Sequence, residues 1–279
     1  MLLALKCIKA LGIVLKGDVI FESVVEEESG GTGTLAAIER GYQADAALIP
    51  EPTKMKIFPK QQGSMWFRLN VSGRGAHGGT RYEGVSAIEK TMLILTAIQK
   101  LEQKRNDAIT DPLYQNIPIP VPINIGKISG GDWPSSVPDQ VVVEGRMGVI
   151  PGEELDHAKE EMTRALKEVD DAWLSENPVG IEWFGARWLP GEVAEDHPLV
   201  TIIRRRYKEI TGEEVVVEAS PWGTDGGLLQ EVGQTPSIVF GPGETAVAHF
   251  PNEYIEIEKM MLAAELYVHI IMEWCGFND

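Results

Sequence analysis

The chain has 279 residues and a formal net charge of −17, from 25 Lys and Arg against 42 Asp and Glu. This length exceeds what one compact core usually holds and predicts two domains. The negative charge argues against binding to nucleic acid or to anionic membranes, because phosphates attract basic surfaces. Two cysteines, Cys7 and Cys275, allow one disulfide at most, so we expect a reducing, cytoplasmic setting. Lys6 and Lys9 interrupt the opening apolar segment, so we expect neither a membrane span nor a secretory signal.

Residues 1–62 alternate between two hydrophobic periodicities. Leu5, Ile8, Leu11 and Leu15, at steps of three and four, predict a first helix that Gly17 ends, and the apolar, β-branched run 18–25 is typical of a buried parallel strand. A short helix over 35–41 and a second apolar strand over 46–50 follow. This alternation indicates an α/β layer.

The pattern changes after residue 62. Residues 64–73 alternate strictly, with Met65, Phe67, Leu69 and Val71 on one face, which predicts a half-exposed antiparallel strand. The next segment predicts a long helix with an apolar stripe at Val85, Ile88, Met92, Leu95, Ile98 and Leu101. Strands over 123–129 and 140–149, a helix over 155–173 and a strand over 179–185 complete a β-α-β-β-α-β order, the ferredoxin-like arrangement.

The α/β character returns beyond Pro190. We expect a helix capped by Asp196 and ended by Gly212, strands over 215–219 and 236–240, and a final amphipathic helix. The fold class is therefore α/β, with a catalytic-type domain formed by 1–62 and 188–279 and an inserted domain formed by 63–187.

Three segments offer metal-ligand chemistry at predicted strand ends. The acidic run Glu26–Glu28 follows the first strand, Glu51 follows the second, and His249 follows a later strand and a glycine-rich turn. Taken singly, an acidic run is more often a solvated turn, and Glu51 and His249 suit exposed loops. Taken together, two carboxylate positions and an imidazole match a hydrolytic Zn²⁺ or Mn²⁺ site, in which a carboxylate that does not bind the metal acts as general base for water.

Two further residues suit substrate contacts. His77 lies on a glycine-flanked loop without acidic neighbours and is suited to stabilising an oxyanion. Arg146 can grip a substrate carboxylate with two hydrogen bonds, although a surface salt bridge is an equally good interpretation. We expect His157, His197 and His269 to be structural, since they fall within or near predicted helices without converging acids.

With these residues assembled, the chain resembles the acetylornithine deacetylase / succinyl-diaminopimelate desuccinylase family of dimetal metallopeptidases and aminoacylases. The matching segments occur in family order along the whole chain: VVEEESGGTGT, LIPEPT, GRGAHGGTRYEGVSAIE, INIGKISGGDWPSSVPDQVVVEGRMG, SPWGTDGGLL and GPGETAVAHFPNEYIEIE. The resemblance implies a zinc-peptidase catalytic domain interrupted by a ferredoxin-like lid that mediates dimerisation. It also implies hydrolysis of the amide of an N-acyl amino acid or dipeptide-like substrate, with two Zn²⁺ ions, or Co²⁺ or Mn²⁺, as cofactors.

The resemblance further assigns roles residue by residue. It implies Glu27 as general base, with Glu28 and His249 binding one metal and Glu51 the other. The residue matching His77 reaches the partner subunit's active site in dimeric members, and Arg146 matches a lid arginine that recognises substrate carboxylate. The turn ending at Gly243 lines the pocket, while Ser136 stands where relatives usually have Asn, which predicts an altered substrate contact.

One family feature is absent from the printed sequence. No HxD motif occurs in it, and the bridging Asp of the family would precede Met1. We therefore expect this chain alone to be a weak hydrolase, as if the N-terminal third of a family member were missing. Two alternatives stay open, namely a catalytically incomplete homologue that acts as a dimerising or ligand-binding module, and an α/β binding protein unrelated to metals.

Overall fold

The computed structural model describes residues 1–278, which divide into two compact units. Unit 1 comprises Met1–Glu27, Gly31–Gln61 and residues 191–278, and unit 2 comprises Glu28–Gly30 and Gln62–Pro190. The catalytic and lid roles that the sequence suggests for these two parts stay predictions.

The bounds of the regular elements are as follows. The helices are α1 (Leu2–Ala10), α2 (Thr32–Glu39), α3 (Ala87–Asp107), α4 (Leu155–Lys167), α5 (Ala172–Glu176), α6 (Pro198–Thr211), α7 (Gly226–Glu231) and α8 (Ile257–Cys275). The strands are β1 (Ala47–Ile49), β2 (Ile57–Gln61), β3 (Gly63–Ser72), β4 (Ala76–His77), β5 (Ile123–Gly130), β6 (Ser136–Val137), β7 (Gln140–Val149), β8 (Gly180–Trp188), β9 (Gly191–Glu192), β10 (Val217–Ser220) and β11 (Ser237–Val239).

Unit 2 is built on an antiparallel sheet in the order β5-β7-β3-β8. The strict alternation in β3 is confirmed, because Met65, Phe67, Leu69 and Val71 are all buried in one core with apolar residues of α3 and α4. The opposite face of the sheet points away from those two helices, since side chains alternate between faces along a strand. A separate two-stranded ladder joins β4 to β6.

The apolar stripe predicted for α3 is only partly the face that the helix buries. Ile98 and Leu101 are buried as expected, but the helix also buries Ala87, Thr91 and Ile94, and it leaves Ile88 and Met92 exposed. The helix is apolar on more than one face, so hydrophobic spacing alone did not decide which face packs.

Unit 1 contains a mixed sheet in the order β1-β11-β2-β10, with β9 beside β2. β1 runs parallel to β11 and β2 parallel to β10, while β11 and β2 are antiparallel. Its core is formed by apolar residues of α1, α6, α8 and the sheet. The helix expected after Asp196 begins with Pro198 and ends at Gly212 in the left-handed conformation as predicted, although its N-cap is His197, whose ring nitrogen accepts a hydrogen bond from the N–H of Leu199.

The strand predicted over Asp18–Val25 was wrong. The segment has no ladder partner among the described residues, and Val19, Ile20, Phe21, Val24 and Val25 are all more than a third exposed. Strand propensity alone does not form a strand, because the backbone needs a neighbour for its hydrogen bonds.

Within residues 1–278, none of the helices combines the length and the hydropathy that crossing a membrane requires.

Candidate active site

Glu27 begins a short 3-10 turn, Glu27–Ser29, that leads into α2. Glu26, just before it, has a left-handed backbone with φ 65°. The N–H of Gly31 donates to the carbonyl of Glu26 at 2.8 Å, and the N–H of Gly33 donates to the carbonyl of Val25 at 3.2 Å. A Cβ at Gly33 would overlap this backbone. The glycines therefore allow the close approach that the sequence predicts around the acidic run.

Glu51 follows β1 on a loop that is fastened to the glycine turn after β11. The hydroxyl of Thr53 donates to the carbonyl of Gly241 at 3.1 Å, and the N–H of Lys54 donates to the carbonyl of Gly243 at 2.8 Å. Gly243 has φ +92°, a conformation that favours glycine. Two motifs separated by nearly 190 residues thus form one corner of unit 1.

His249 lies farther along the same turn region, on the surface of unit 1. Its backbone is left-handed with φ 65°, an uncommon conformation for a residue with a side chain. Its N–H donates to the Glu253 carboxylate at 3.0 Å, which helps to hold this conformation.

Unit 1 contains a cavity of about 490 Å³ whose lining includes Glu27 and Glu51. No lysine, arginine or histidine of the described residues lines it. Its floor is partly apolar, with Val19, Leu48 and Trp274 among the lining residues. The side chains of the cavity lining therefore contribute negative charge and no positive charge. Its carboxylates are Asp18, Glu22, Glu27, Asp45, Glu51 and Asp225.

Asp225, from the SPWGTDGGLL segment, is the most buried of these carboxylates, and sequence reasoning missed it. Only 6% of the residue is exposed, and its Oδ2 accepts a hydrogen bond of 2.6 Å from the Thr34 hydroxyl. Its Oδ1 has no partner among the described residues. Burial raises the pKa of Asp225, and burial together with the charge of Asp225 raises that of Glu22. Both shifts show that the cavity disfavours further negative charge.

His77 and Ser136, predicted as substrate contacts, lie directly opposite each other where β4 pairs with β6. Both are exposed. The His77 Nδ1 accepts a hydrogen bond of 3.0 Å from the N–H of Gly79. This bond places the proton of a neutral imidazole on Nε2, which can then donate to a substrate oxygen.

Arg146 lies on β7, on the sheet face of unit 2 that points away from α3 and α4. It pairs in register with Trp66 on one side and Asn124 on the other. Among the described residues no carboxylate comes within 4.0 Å of its guanidinium, so the salt-bridge interpretation is not supported. Burial lowers the pKa of Arg146. A partly desolvated cation without a counter-ion is suited to an anionic ligand.

The expectation that His157 has no converging acids was wrong. Glu153, His157 and Glu161 have ligand atoms within 4.8 Å of one another, and the described residues contain no other such group of three. Arg105 already neutralises this group, however, because its guanidinium bonds both oxygens of Glu153 at 2.6 and 2.7 Å and also bonds Glu161. Their i, i+4, i+8 spacing was the signal in the sequence that could have revealed it.

The structure thus brings some predicted site residues together. Glu27 and Glu51 line one cavity, the Glu51 loop contacts the turn of Gly243, and His77 faces Ser136. Glu28 belongs to unit 2, whereas Glu51 and His249 belong to unit 1. The meeting of these three around a metal ion stays a prediction.

Comparison with known proteins adds an independent finding. N-formyl-4-amino-5-aminomethyl-2-methylpyrimidine deformylase of Halalkalibacterium halodurans is 32% identical, over 98% of this chain and 68% of the relative. Acetylornithine deacetylase of Aliivibrio salmonicida is 31% identical over 78% of this chain and 55% of the relative.

Solved structures agree at the level of the fold. Aminopeptidase PepT of Bacillus cereus, at 23% identity, has a TM-score of 0.72 and is covered over 68% of its length by 97% of this chain. A tripeptidase of Staphylococcus aureus, at 24% identity, has a TM-score of 0.74, with 96% of this chain matching 67% of it. These likenesses show a shared fold with α/β content and mixed sheets.

The model of peptidase family M20/M25/M40 matches residues 1–273. The chain belongs to peptidase family M20/M25/M40, whose members related to it are hydrolases acting on C–N amide bonds.

Proposed function

We propose that this chain carries out metal-dependent hydrolysis of the amide bond of a small N-acyl substrate, such as an N-acyl amino acid or a dipeptide-like molecule. The observation that carries the proposal is the acid-rich cavity of unit 1, whose lining includes both Glu27 and Glu51. The deformylase and deacetylase relatives support the removal of an acyl group from nitrogen.

The residues present fit a divalent metal. The cavity holds carboxylate oxygens, the Asp225 Oδ1 is buried without a partner among the described residues, and the pKa values of Asp225 and Glu22 are raised. A cation would offset this charge. We assign Glu28, Glu51 and His249 as ligands, with Zn²⁺ as the metal and Co²⁺ or Mn²⁺ as alternatives. Such a metal, when bound, supplies Lewis-acid polarisation of the carbonyl and a more acidic water.

The chain's own residues supply the proton transfers and the substrate contacts. Glu27 takes a proton from the attacking water and delivers it to the leaving amine. His77, with its Nδ1 held by Gly79, donates from Nε2 to the carbonyl oxygen as negative charge develops there. Arg146 binds a substrate carboxylate.

The remaining contacts are backbone and hydroxyl groups. We place Gly243 at the substrate pocket, because its carbonyl is bonded to the Glu51 loop through the N–H of Lys54, and Ser136 offers a hydroxyl opposite His77 where relatives usually have Asn. The sheet order of unit 2 supports our proposal that this unit is a ferredoxin-like lid carrying His77, Ser136 and Arg146.

The adjacent glutamates provide a matched test of this proposal. The purified chain with Zn²⁺ is assayed on a panel of N-formyl and N-acetyl amino acids. Glu27→Gln should lower kcat by about 10²- to 10⁴-fold, the usual contribution of a general base, with little change in KM. Glu26→Gln, which alters an exposed neighbour outside the cavity lining, should retain activity. Equal effects of the two substitutions, or no hydrolysis of any panel member, would contradict the proposal.

We also propose that unit 2 forms a homodimer with a second copy of the chain. β5 is an edge strand whose Ile128 is 53% exposed, and Ile88 and Met92 of α3 beside it are 47% and 64% exposed. Open strand edges with apolar neighbours favour association. Sedimentation equilibrium should give the mass of two chains for the wild type and of one for Met92→Glu, with Ile119→Glu, at another exposed isoleucine of unit 2, as control.

A further inference from the structure

The face of the unit 2 sheet that points away from α3 and α4 carries its side chains in rows that cross the strands. One row consists of Lys127, Glu144, Arg68 and Glu182, in register on β5, β7, β3 and β8. Its charges alternate, and every neighbouring pair forms a salt bridge, at 3.3, 2.7 and 2.7 Å. The charges in this row therefore neutralise one another, and no ligand is needed to balance them.

The adjacent row is different. It consists of Asn124, Arg146, Trp66 and Phe184 on the same four strands. Arg146 is its charged member, has no carboxylate partner among residues 1–278, and is desolvated enough for its pKa to be lowered. Arg68 on β3 and Arg146 on β7 therefore lie in adjacent rows of the same sheet face, with Arg68 opposite Glu144 and Arg146 opposite Trp66. The first is fully paired, and the second is left with an amide and an aromatic ring beside it.

The aromatic side of this row is held in place. The Trp66 ring contacts the rings of Phe184 and Trp188, each with centroids 6.2 Å away. β8 has an irregularity next to Trp66, where Gly185 adopts φ +62° and where an added Cβ would lie 2.7 Å from the Trp66 ring. A bulge of this kind re-aims side chains and is common beside binding sites.

The opposite edge of the row has a second irregularity. The pairing of β5 with β7 shifts between Ile125 and Lys127, one residue beyond Asn124. The row of Asn124, Arg146 and Trp66 is thus bounded by a bulge on each edge strand, whereas the ladder of β3 with β7 between them is continuous.

We propose that this row is a subsite for an aromatic carboxylate, with the carboxylate on Arg146 and the Asn124 amide and the planar ring against Trp66. Directly opposite residues of an antiparallel pair have Cβ atoms about 4.5–5.5 Å apart, so one small ring acid can touch both Arg146 and Trp66. Arginine binds carboxylates through two parallel hydrogen bonds, and aromatic rings favour offset stacking. The inference rests on the proposed amidohydrolase function and deepens it. It makes Trp66 a specificity-determining residue that selects substrates whose carboxylate is attached to an aromatic ring.

The test compares benzoate with cyclohexanecarboxylate, two acids of equal charge and similar size of which only the first is planar. Binding of each to the full chain is measured by calorimetry, which needs neither metal nor turnover. The wild type should bind benzoate about fivefold more tightly, as the energy of aromatic pairing predicts. Trp66→Leu should abolish the preference, and Arg146→Gln should weaken both acids together.

Matched variants separate the subsite from general effects on folding. Trp133→Leu and Arg74→Gln change another tryptophan and another arginine of unit 2 outside the row, and both should keep the benzoate preference. Gly185→Ala leaves the side chains of the row intact but crowds the Trp66 ring, so it should reduce the preference. Thermal melting checks that every variant is folded.

Three outcomes would overturn the subsite: equal binding of the two acids by the wild type, a preference that survives Trp66→Leu, or no binding of either acid at millimolar concentration. None of these bears on the role of Glu27 in amide hydrolysis. Conversely, loss of the amidohydrolase proposal in the Glu27 assay would leave the binding preference measurable, so the two failures are distinguishable.

Discussion

Acidic side chains gather in both units, and the two clusters differ in what neutralises them. In unit 2, the carboxylates of Glu153 and Glu161 bond the guanidinium of Arg105, a residue that is only 8% exposed. The same guanidinium also donates to the carbonyl of Gly148 at 3.1 Å. Although burial opposes it, the hydrogen bonds and charge of Arg105 hold the pKa of Glu153 below its ordinary value. In unit 1, burial raises the pKa of Asp225, and no basic side chain of the described residues lines the surrounding cavity.

This difference shows why proximity of ligand-type side chains is a poor guide to a metal site. The ligand atoms of Glu153, His157 and Glu161 lie close enough together to hold a metal ion. The Arg105 guanidinium, however, already neutralises the two carboxylates. The carboxylates of the unit 1 cavity include one whose charged form is disfavoured and whose Oδ1 lacks a partner among the described residues. An external cation therefore has more to stabilise in unit 1 than in unit 2.

The largest expected effect comes from removing the internal cation. Arg105→Met keeps much of the side-chain volume but leaves Glu153 and Glu161 without their counter-ion. Breaking a buried ion pair from one side costs about 3–5 kcal/mol, so the free energy of unfolding, measured by urea denaturation at pH 7, should fall by that amount. Arg81→Met, which removes an exposed ion pair with Glu89, should cost less than about 1 kcal/mol.

The pH dependence of the same variant sharpens this prediction. Glu153 has a lowered folded pKa, so its contribution to stability is present above its ordinary value of 4.5 and is lost as the pH falls through the folded value. The penalty of Arg105→Met should therefore shrink in acid, where the orphaned carboxylates become protonated. A penalty that is constant with pH, or no larger than that of Arg81→Met, would show that Arg105 does not neutralise the cluster.

Local patterns in the sequence predicted the elements whose packing they determine. The alternation of β3 predicted which face enters the core, and Gly212 ended α6 where expected. The segment Asp18–Val25 has the composition of a strand, but a strand also needs a neighbouring backbone, and composition contains no information about that neighbour. The phase of α3 was missed for a related reason, since Ile88 and Met92 are as apolar as the residues that the helix buries.

The same difference between local sequence patterns and tertiary contacts applies to the site residues. The sequence predicted that Glu51 and the glycine turn each follow a strand, and the two loops meet because β1 and β11 are parallel neighbours. The pairing of Arg146 with Trp66 depends on strand register across 80 residues, and the burial of Asp225 depends on its contact with Thr34 of α2. Neither has a signature in the local sequence, because both arise from tertiary contacts.

The smallest expected effect is on the pH dependence of the free energy of unfolding. It tests the buried carboxylate of unit 1 through Asp225→Asn. A raised folded pKa means that the folded state holds its proton more tightly, so the contribution of Asp225 to stability is fully present below its ordinary value of 3.8 and is lost as the pH rises through the folded value. The neutral amide still accepts the Thr34 hydroxyl bond and cannot ionise. Unfolding free energies of the wild type and the variant, measured in parallel from pH 3.5 to 8, should therefore diverge in favour of the variant as the pH rises. A difference that is flat across this range, or one that the exposed cavity variant Asp45→Asn reproduces, would mean that the buried carboxylate carries no uncompensated charge, and the contrast between the two clusters would disappear.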